Sequence, residues 1–199
     1  MAIETSAPAL ISGVLSVAAY VPYTVSTLRG RTVPQRASWF IWGLLSVIAF
    51  ASVLHSGGTR GLVFTGAQMV GTNTVFLLSL WRGTGSIARR SDATVLGFSG
   101  LGLLLWWWTD NAAWAMALAI AVGSAGGSLT IAKAVSRPRS EMLTPWVLQW
   151  LAAGFGVASI LGASAMEAAY PLYLFLLYSG IAGATAIGRV RRLRRERTP

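Results

Sequence analysis

Apolar residues fall in long blocks along this chain, separated by short stretches that gather Arg, Gly, Pro and Ser. Seven blocks contain no acidic residue: Ala7 to Leu28, Ser38 to Leu54, Leu62 to Trp81, Ala93 to Trp108, Ala112 to Ala134, Thr144 to Leu161 and Ala169 to Gly188. About 20 apolar residues in a helix span the hydrocarbon core of a bilayer, so the pattern predicts seven transmembrane helices. The fourth block is the shortest, roughly 24 Å long at 1.5 Å per residue.

Composition agrees with that pattern. The chain has 199 residues, 54% hydrophobic and 11% charged, where soluble domains average about 25% charged residues. Seven spans leave no room for a separate water-soluble domain. Sixteen Lys and Arg against six Asp and Glu give a net charge of +10, a balance that could signal nucleic-acid binding. The distribution argues otherwise. Seven spans place Arg29, Arg31, Arg36, Arg82, Arg89, Arg90, Asp92, Lys133, Arg137, Arg139, Glu141 and the Arg-rich tail on one face, which nets +12, and leave Glu4, Arg60, Asp110 and Glu167 opposite, netting −2. Without the fourth span the faces net +3 and +7. The positive-inside rule then puts the N-terminus outside and the C-terminus in the cytoplasm, with no nucleic-acid partner expected. Arg outnumbers Lys fifteen to one, a compositional hint of a bacterial source and hence of its inner membrane. Met1 to Thr5 carry no basic region, so the first block reads as a retained span.

Most tryptophans sit near predicted span ends, Trp39, Trp81 and Trp146 at the inner boundary and Trp106, Trp107, Trp108 and Trp114 at the outer, as an aromatic belt would place them. There is no Cys and one His, His55. No metal or cofactor is expected, and no carboxylate pair, Ser/His pair or phosphate-binding loop suggests an enzyme.

The chain also repeats itself. Tyr23 to Leu54 laid on Leu129 to Leu161 with one insertion pairs Thr24 with Thr130, Arg31 with Arg137 and Trp39 with Trp146. The predicted fold class is therefore all-α: a polytopic membrane protein with a first three-helix repeat over 1–91, a linker helix over 92–110, a second repeat over 111–190 and a basic tail over 191–199. An odd linker span keeps the two repeats parallel. Transporters built from repeats bind substrate near mid-membrane at the repeat interface, marked by interrupted helices. Pro22 in the first span and Gly126 with Gly127 in the fifth are the matching candidates for hinges.

Tyr20-Val21-Pro22-Tyr23, then Leu28-Arg29-Gly30-Arg31, then Ser38-Trp39-Phe40-Ile41-Trp42 resemble the PQ-loop membrane proteins, specifically the SWEET sugar facilitators. Thr130 to Glu141, with Lys133 and Pro138, is similar to a bacterial branch of that clan. Here Tyr23 stands where the clan has Gln after the helical Pro, and the second copy has Ser128-Leu129 instead of the Pro-Gln pair. The resemblance implies facilitated transport, with a three-one-three arrangement and a third-span Asn that meets substrate, which corresponds to Asn73. Nicotinamide riboside transporters share a similar plan, so the substrate class stays open.

Thr65, Gln68, Thr72 and Ser79 share one face of the third span, with Asn73 beside it. Polar groups there face protein or water, because lipid offers them no hydrogen bonds. The repeat maps Thr72 and Asn73 onto Ser179 and Gly180, next to Tyr178. Gln149, Trp150 and Trp42 add hydrogen-bonding and stacking groups. Helix-to-helix bonding and belt packing account for the same residues without a ligand. Lys133 and Glu141 form a candidate inner gate, or are a snorkelling Lys and a helix N-terminal acid. With no acid, Arg or His deep in a span, a proton relay is not expected. The sequence thus predicts a passive facilitator of a small neutral solute such as a sugar, with anionic lipid at the Arg-rich tail. The alternative is a non-transporting PQ-loop-type receptor or scaffold. Assembly into a homo-oligomer stays open.

Overall fold

The computed structural model describes residues 6–55, 57, 61–85, 108, 112–162 and 164–195. Nearly all of them lie in six helices: α1 Ala7–Leu28, α2 Arg36–His55, α3 Leu62–Arg82, α4 Ala112–Ser136, α5 Leu143–Ser159 and α6 Ala165–Arg195. A single 3-10 turn, Pro138–Ser140, joins α4 to α5. Among the described residues the only β pairing is an isolated bridge between Gln35 and Thr84. Six of the seven predicted spans coincide with these helices. The fourth, 93–108, lies outside the described residues apart from Trp108, which is helical and exposed.

Five of the helices are long and apolar enough to cross a membrane, and the sixth, α5, has 17 residues. Their outer surfaces fit lipid. α1 exposes Leu10, Val14, Val17, Val21, Val25 and Leu28, spaced along one helical face, and turns Ser12, Ser16, Ala19, Tyr20, Tyr23 and Thr27 inward. Seventeen polar residues are buried among the described ones, and Glu141 is the only charged one. An apolar outside around hydroxyl-rich and small-residue seams is how helices pack in a bilayer, where burial of apolar groups gives no advantage over lipid.

Both hinge candidates and the first arginines of the tail lie inside continuous helices. Neither hinge candidate breaks its helix: α1 continues through Pro22 and α4 through Gly126 and Gly127. Pro22 forfeits one backbone bond, which membrane helices tolerate when neighbours enclose the freed carbonyl. α6 likewise runs unbroken through the first arginines of the tail to Arg195.

Neighbouring helices form a closed ring in the order α1, α3, α2, α4, α6, α5 and back to α1. Within each set of three consecutive helices, the third packs between the first and second. Across the sets, α1 meets α5 and α4 meets α2. This pattern is unchanged when α1, α2 and α3 are exchanged with α4, α5 and α6.

The connections at one end bind one another. The Val33 amide donates to the Ser140 carbonyl at 3.4 Å, and the Thr84 amide donates to the Pro34 carbonyl at 2.8 Å. Gly30, with φ of 69°, turns the chain after α1 in a conformation that favours glycine. The Arg36 guanidinium donates to the Ser79 carbonyl in the last turn of α3 and to the Gly85 carbonyl just beyond it, at 2.9 and 2.7 Å, giving Ser79 a second donor beside the Gly83 amide. Arg29, Arg31, Arg82, Arg137, Arg139 and the arginines of α6 collect at this same end, as the charge pattern predicts. The chain leaves α3 here. α4 runs antiparallel to α2, with Ser38 bonded to Gly126 and Trp42 to Gly123, so α4 starts at the opposite end.

Candidate functional site

Helical spacing decides which side chains reach the middle of the ring. Positions 16, 20 and 23 lie on one face of α1, positions 65, 68 and 72 on one face of α3, and positions 146 and 149 on one face of α5. They converge on Gln68, which is fully buried. Its carbonyl accepts from the Tyr20 hydroxyl at 2.6 Å and the Tyr178 hydroxyl at 3.0 Å. Its amide donates to the Gln149 carbonyl at 2.9 Å and to Ser16 Oγ at 3.3 Å. A Gln side chain has two acceptor lone pairs and two donor hydrogens. All four are used, and they tie α3 to α1, α5 and α6.

Toward the basic end lies an aromatic layer. Trp39 and Trp146, each near the start of its helix at that end, stack with ring centroids 6.2 Å apart and planes 30° apart. These are the two tryptophans that the internal repeat pairs, so repeat-related residues meet face to face between the two sets of helices. Tyr23 packs 5.0 Å from Trp39 and 5.8 Å from Trp146, and Trp42 packs edge-on to both. Trp42 Nε1 donates to the Gly123 carbonyl at 3.2 Å. Among the described residues, the buried hydroxyls of Tyr23 and Tyr173 have no hydrogen-bond partner.

Beneath this layer, Lys133 and Glu141 form an ion pair with side chains 9% and 0% exposed. Lys133 Nζ also donates to the Val33 carbonyl at 2.7 Å, and Trp146 Nε1 donates to Glu141 Oε2 at 3.0 Å. A Lys from α4, a Glu before α5 and a carbonyl from the α1–α2 connection therefore close the basic end together. Lys133 is therefore not reaching for water, while Glu141 lies just before the N-terminus of α5, where an acid also meets the helix dipole.

The predicted site residues separate into three groups. Gln68, Gln149, Tyr178 and Trp42 come together in the core. Thr72 and Asn73 sit instead on the α2–α3 seam, where Thr72 Oγ1 lies 2.8 Å from Ser46 Oγ. The Asn73 amide donates to the carbonyls of Met69 at 2.8 Å and Gly43 at 3.2 Å. A Cβ at Gly43 would lie 2.8 Å from Asn73 Oδ1, so the glycine is what admits this side chain. Trp150 and Ser179 point away from the core: Trp150 is exposed and stacked on Phe175, and Ser179 bonds to the Phe175 carbonyl of its own helix. Gly126 packs against Ser38 and Ile41, and Gly127 against Leu177.

Sequence reasoning missed Ser16 and Tyr20 and misread Trp39 and Trp146 as belt residues. The latter two are 4% and 2% exposed, while Trp81, Trp108 and Trp114 are exposed as a belt requires. The repeat alignment held the missed signal, since it singles out Trp39 and Trp146 as a matched pair.

Amide and hydroxyl groups above stacked indoles can hydrogen-bond and stack with an uncharged solute. Comparison with known protein families, with characterised proteins and with solved structures finds no match to this chain.

Proposed function

We propose that this chain is a passive facilitator of a small neutral solute, such as a sugar, working by alternating access between α1–α3 and α4–α6. The observation that carries this reading is the Gln68 and Gln149 network over the Trp39 and Trp146 stack, placed where the two sets of helices meet. Uncharged hydrogen-bonding groups beside aromatic faces suit a hydroxylated solute, and the unpartnered Tyr23 and Tyr173 hydroxyls offer two further donors. Burying such a group without a partner costs about 1–3 kcal/mol, which a solute hydroxyl would offset.

In this reading seven spans cross the membrane. Residues 93–108 supply the crossing that carries the chain from the basic end of α3 to the far end of α4, and the basic end faces the cytoplasm of a bacterial cell. Lys133, Glu141 and Val33 form the inner gate, closed in this conformation. Because the one buried acid among the described residues is already neutralised by Lys133, flux needs no ion gradient. The complete internal satisfaction of Gln68 favours a second reading, a receptor or scaffold whose core is structural.

Counterflow in proteoliposomes separates the two. Vesicles preloaded with unlabelled sugars or nucleosides are followed for entry of the labelled solute without an ion gradient. The transport reading expects flux above empty vesicles that falls at least fivefold in Gln149→Ala. Folded protein that gives no flux across the panel would favour the receptor or scaffold.

A further inference from the structure

The two halves finish differently at the basic end. After α3 the chain turns away at Gly83, and Arg36 fills the space beneath with its guanidinium on the Ser79 and Gly85 carbonyls. α6 does not turn. It continues past α4, and Gly188 allows the close approach, since a Cβ there would sit 2.6 Å from the Ala134 carbonyl and 3.2 Å from Pro138.

The result is a cleft of about 290 Å³ between the end of α4, the 3-10 turn and α6, lined by Val135, Ser136, Pro138, Gly188, Arg191 and Arg192. Arg191 and Arg192 of α6 lie on one wall, and the facing wall is formed by Val135, Ser136 and Pro138 at the carbonyl end of α4. From Arg191 a stripe of α6 leads toward the bilayer interior through Ile187, Gly183 and Gly180 at spacings of four, four and three. Ile187 is exposed, and a Cβ at Gly183 would meet nothing within 4 Å.

We propose that this cleft binds the headgroup of an anionic phospholipid, its phosphate held by Arg191 and Arg192 and its acyl chain laid along Val135, Ile187 and Gly183. Two guanidiniums match phosphate oxygens in geometry as well as charge. The apolar track selects a lipid over a free phosphate, which would use only the charged wall. This is a defined site, distinct from the diffuse attraction that any basic tail has for an anionic leaflet. It rests on the membrane placement of the bundle and not on the transport reading, so failure of either leaves the other standing.

Native mass spectrometry of the full chain in detergent, titrated with phosphatidylglycerol, phosphatidylcholine or inorganic phosphate, tests it. One phosphatidylglycerol should be retained, and affinity should fall at least tenfold in Arg191→Gln/Arg192→Gln. Arg194→Gln/Arg195→Gln, which removes the same charge about one turn further along α6, should change it less than twofold. Ser136→Trp fills the cleft without altering charge and should also release the lipid. Equal losses in the two double variants would overturn the site in favour of diffuse attraction. Displacement by millimolar phosphate would assign the cleft to a free anion, and equal retention of phosphatidylcholine would reduce it to an apolar groove.

Discussion

Gln68→Leu removes the hub of the core while nearly preserving its volume, and its cost can be worked from the four bonds it deletes. Hydrogen bonds between membrane helices average about 0.6 kcal/mol each, which sets a floor of about 2 kcal/mol. The variant also orphans the Tyr20 and Tyr178 hydroxyls and the Gln149 carbonyl, and an orphaned buried group costs about 1–3 kcal/mol in a dry interior. With three groups orphaned, the expected loss is therefore at least about 3 kcal/mol. Titration with a denaturing detergent in mixed micelles, followed by tryptophan fluorescence, measures it, because Trp39 and Trp146 report on the adjacent layer. Adding Tyr20→Phe and Tyr178→Phe to Gln68→Leu should restore at least about 2 kcal/mol by deleting two of the orphaned hydroxyls. A single variant that loses less than about 0.5 kcal/mol, with no recovery in the triple, would refute the hub as a stabilising network.

Further expectations concern the gate and the helix seams. Glu141→Gln leaves Lys133 buried without its counter-charge and should cost about 3–5 kcal/mol, whereas Lys133→Met/Glu141→Gln should recover at least half of that in the same assay, since the introduced amide oxygen can still accept from Trp146. Additive effects of the two single changes would show that the pair does not interact. Gly71→Ala pushes a Cβ into the Tyr20 ring and should cost about 1–3 kcal/mol by overpacking. Gly183→Ala, in open space, should be neutral or slightly stabilising because Ala is the better helix former. If both glycine variants behave alike, the close approach of α1 to α3 at Gly71 is not what sets their packing.

The helices were legible in the sequence because a bilayer imposes length and apolarity on every span. α1 matches its predicted limits, and α4 and α5 end within two residues of theirs. The last helix was underestimated because its final turns carry arginines, and hydropathy cannot separate a charged helix that leaves the membrane from a tail. Site residues were less legible for a geometric reason. Gln68 and Asn73 are both polar positions in one apolar helix, yet five residues of helix turn them well over 100° apart. One therefore reaches the centre of the ring and the other a two-helix seam. Which face becomes central depends on the ring order, and hydrophobic pattern alone does not give that order. Trp39 and Trp146 show the same limit, since three residues from a helix start fits equally a belt facing lipid or a stack facing inward.

In the transport reading, α1–α3 and α4–α6 separate at the basic end to pass a solute. The chain has no native cysteine, and the backbones of Val33 and Ser140 touch there, one from each half. Counterflow through Val33→Cys/Ser140→Cys protein, bridged by oxidation or a short thiol cross-linker and then reduced, is the direct measurement. Flux should lie near the empty-vesicle level when bridged and near that of the unmodified chain after reduction. Undiminished flux through fully bridged protein would contradict that reading.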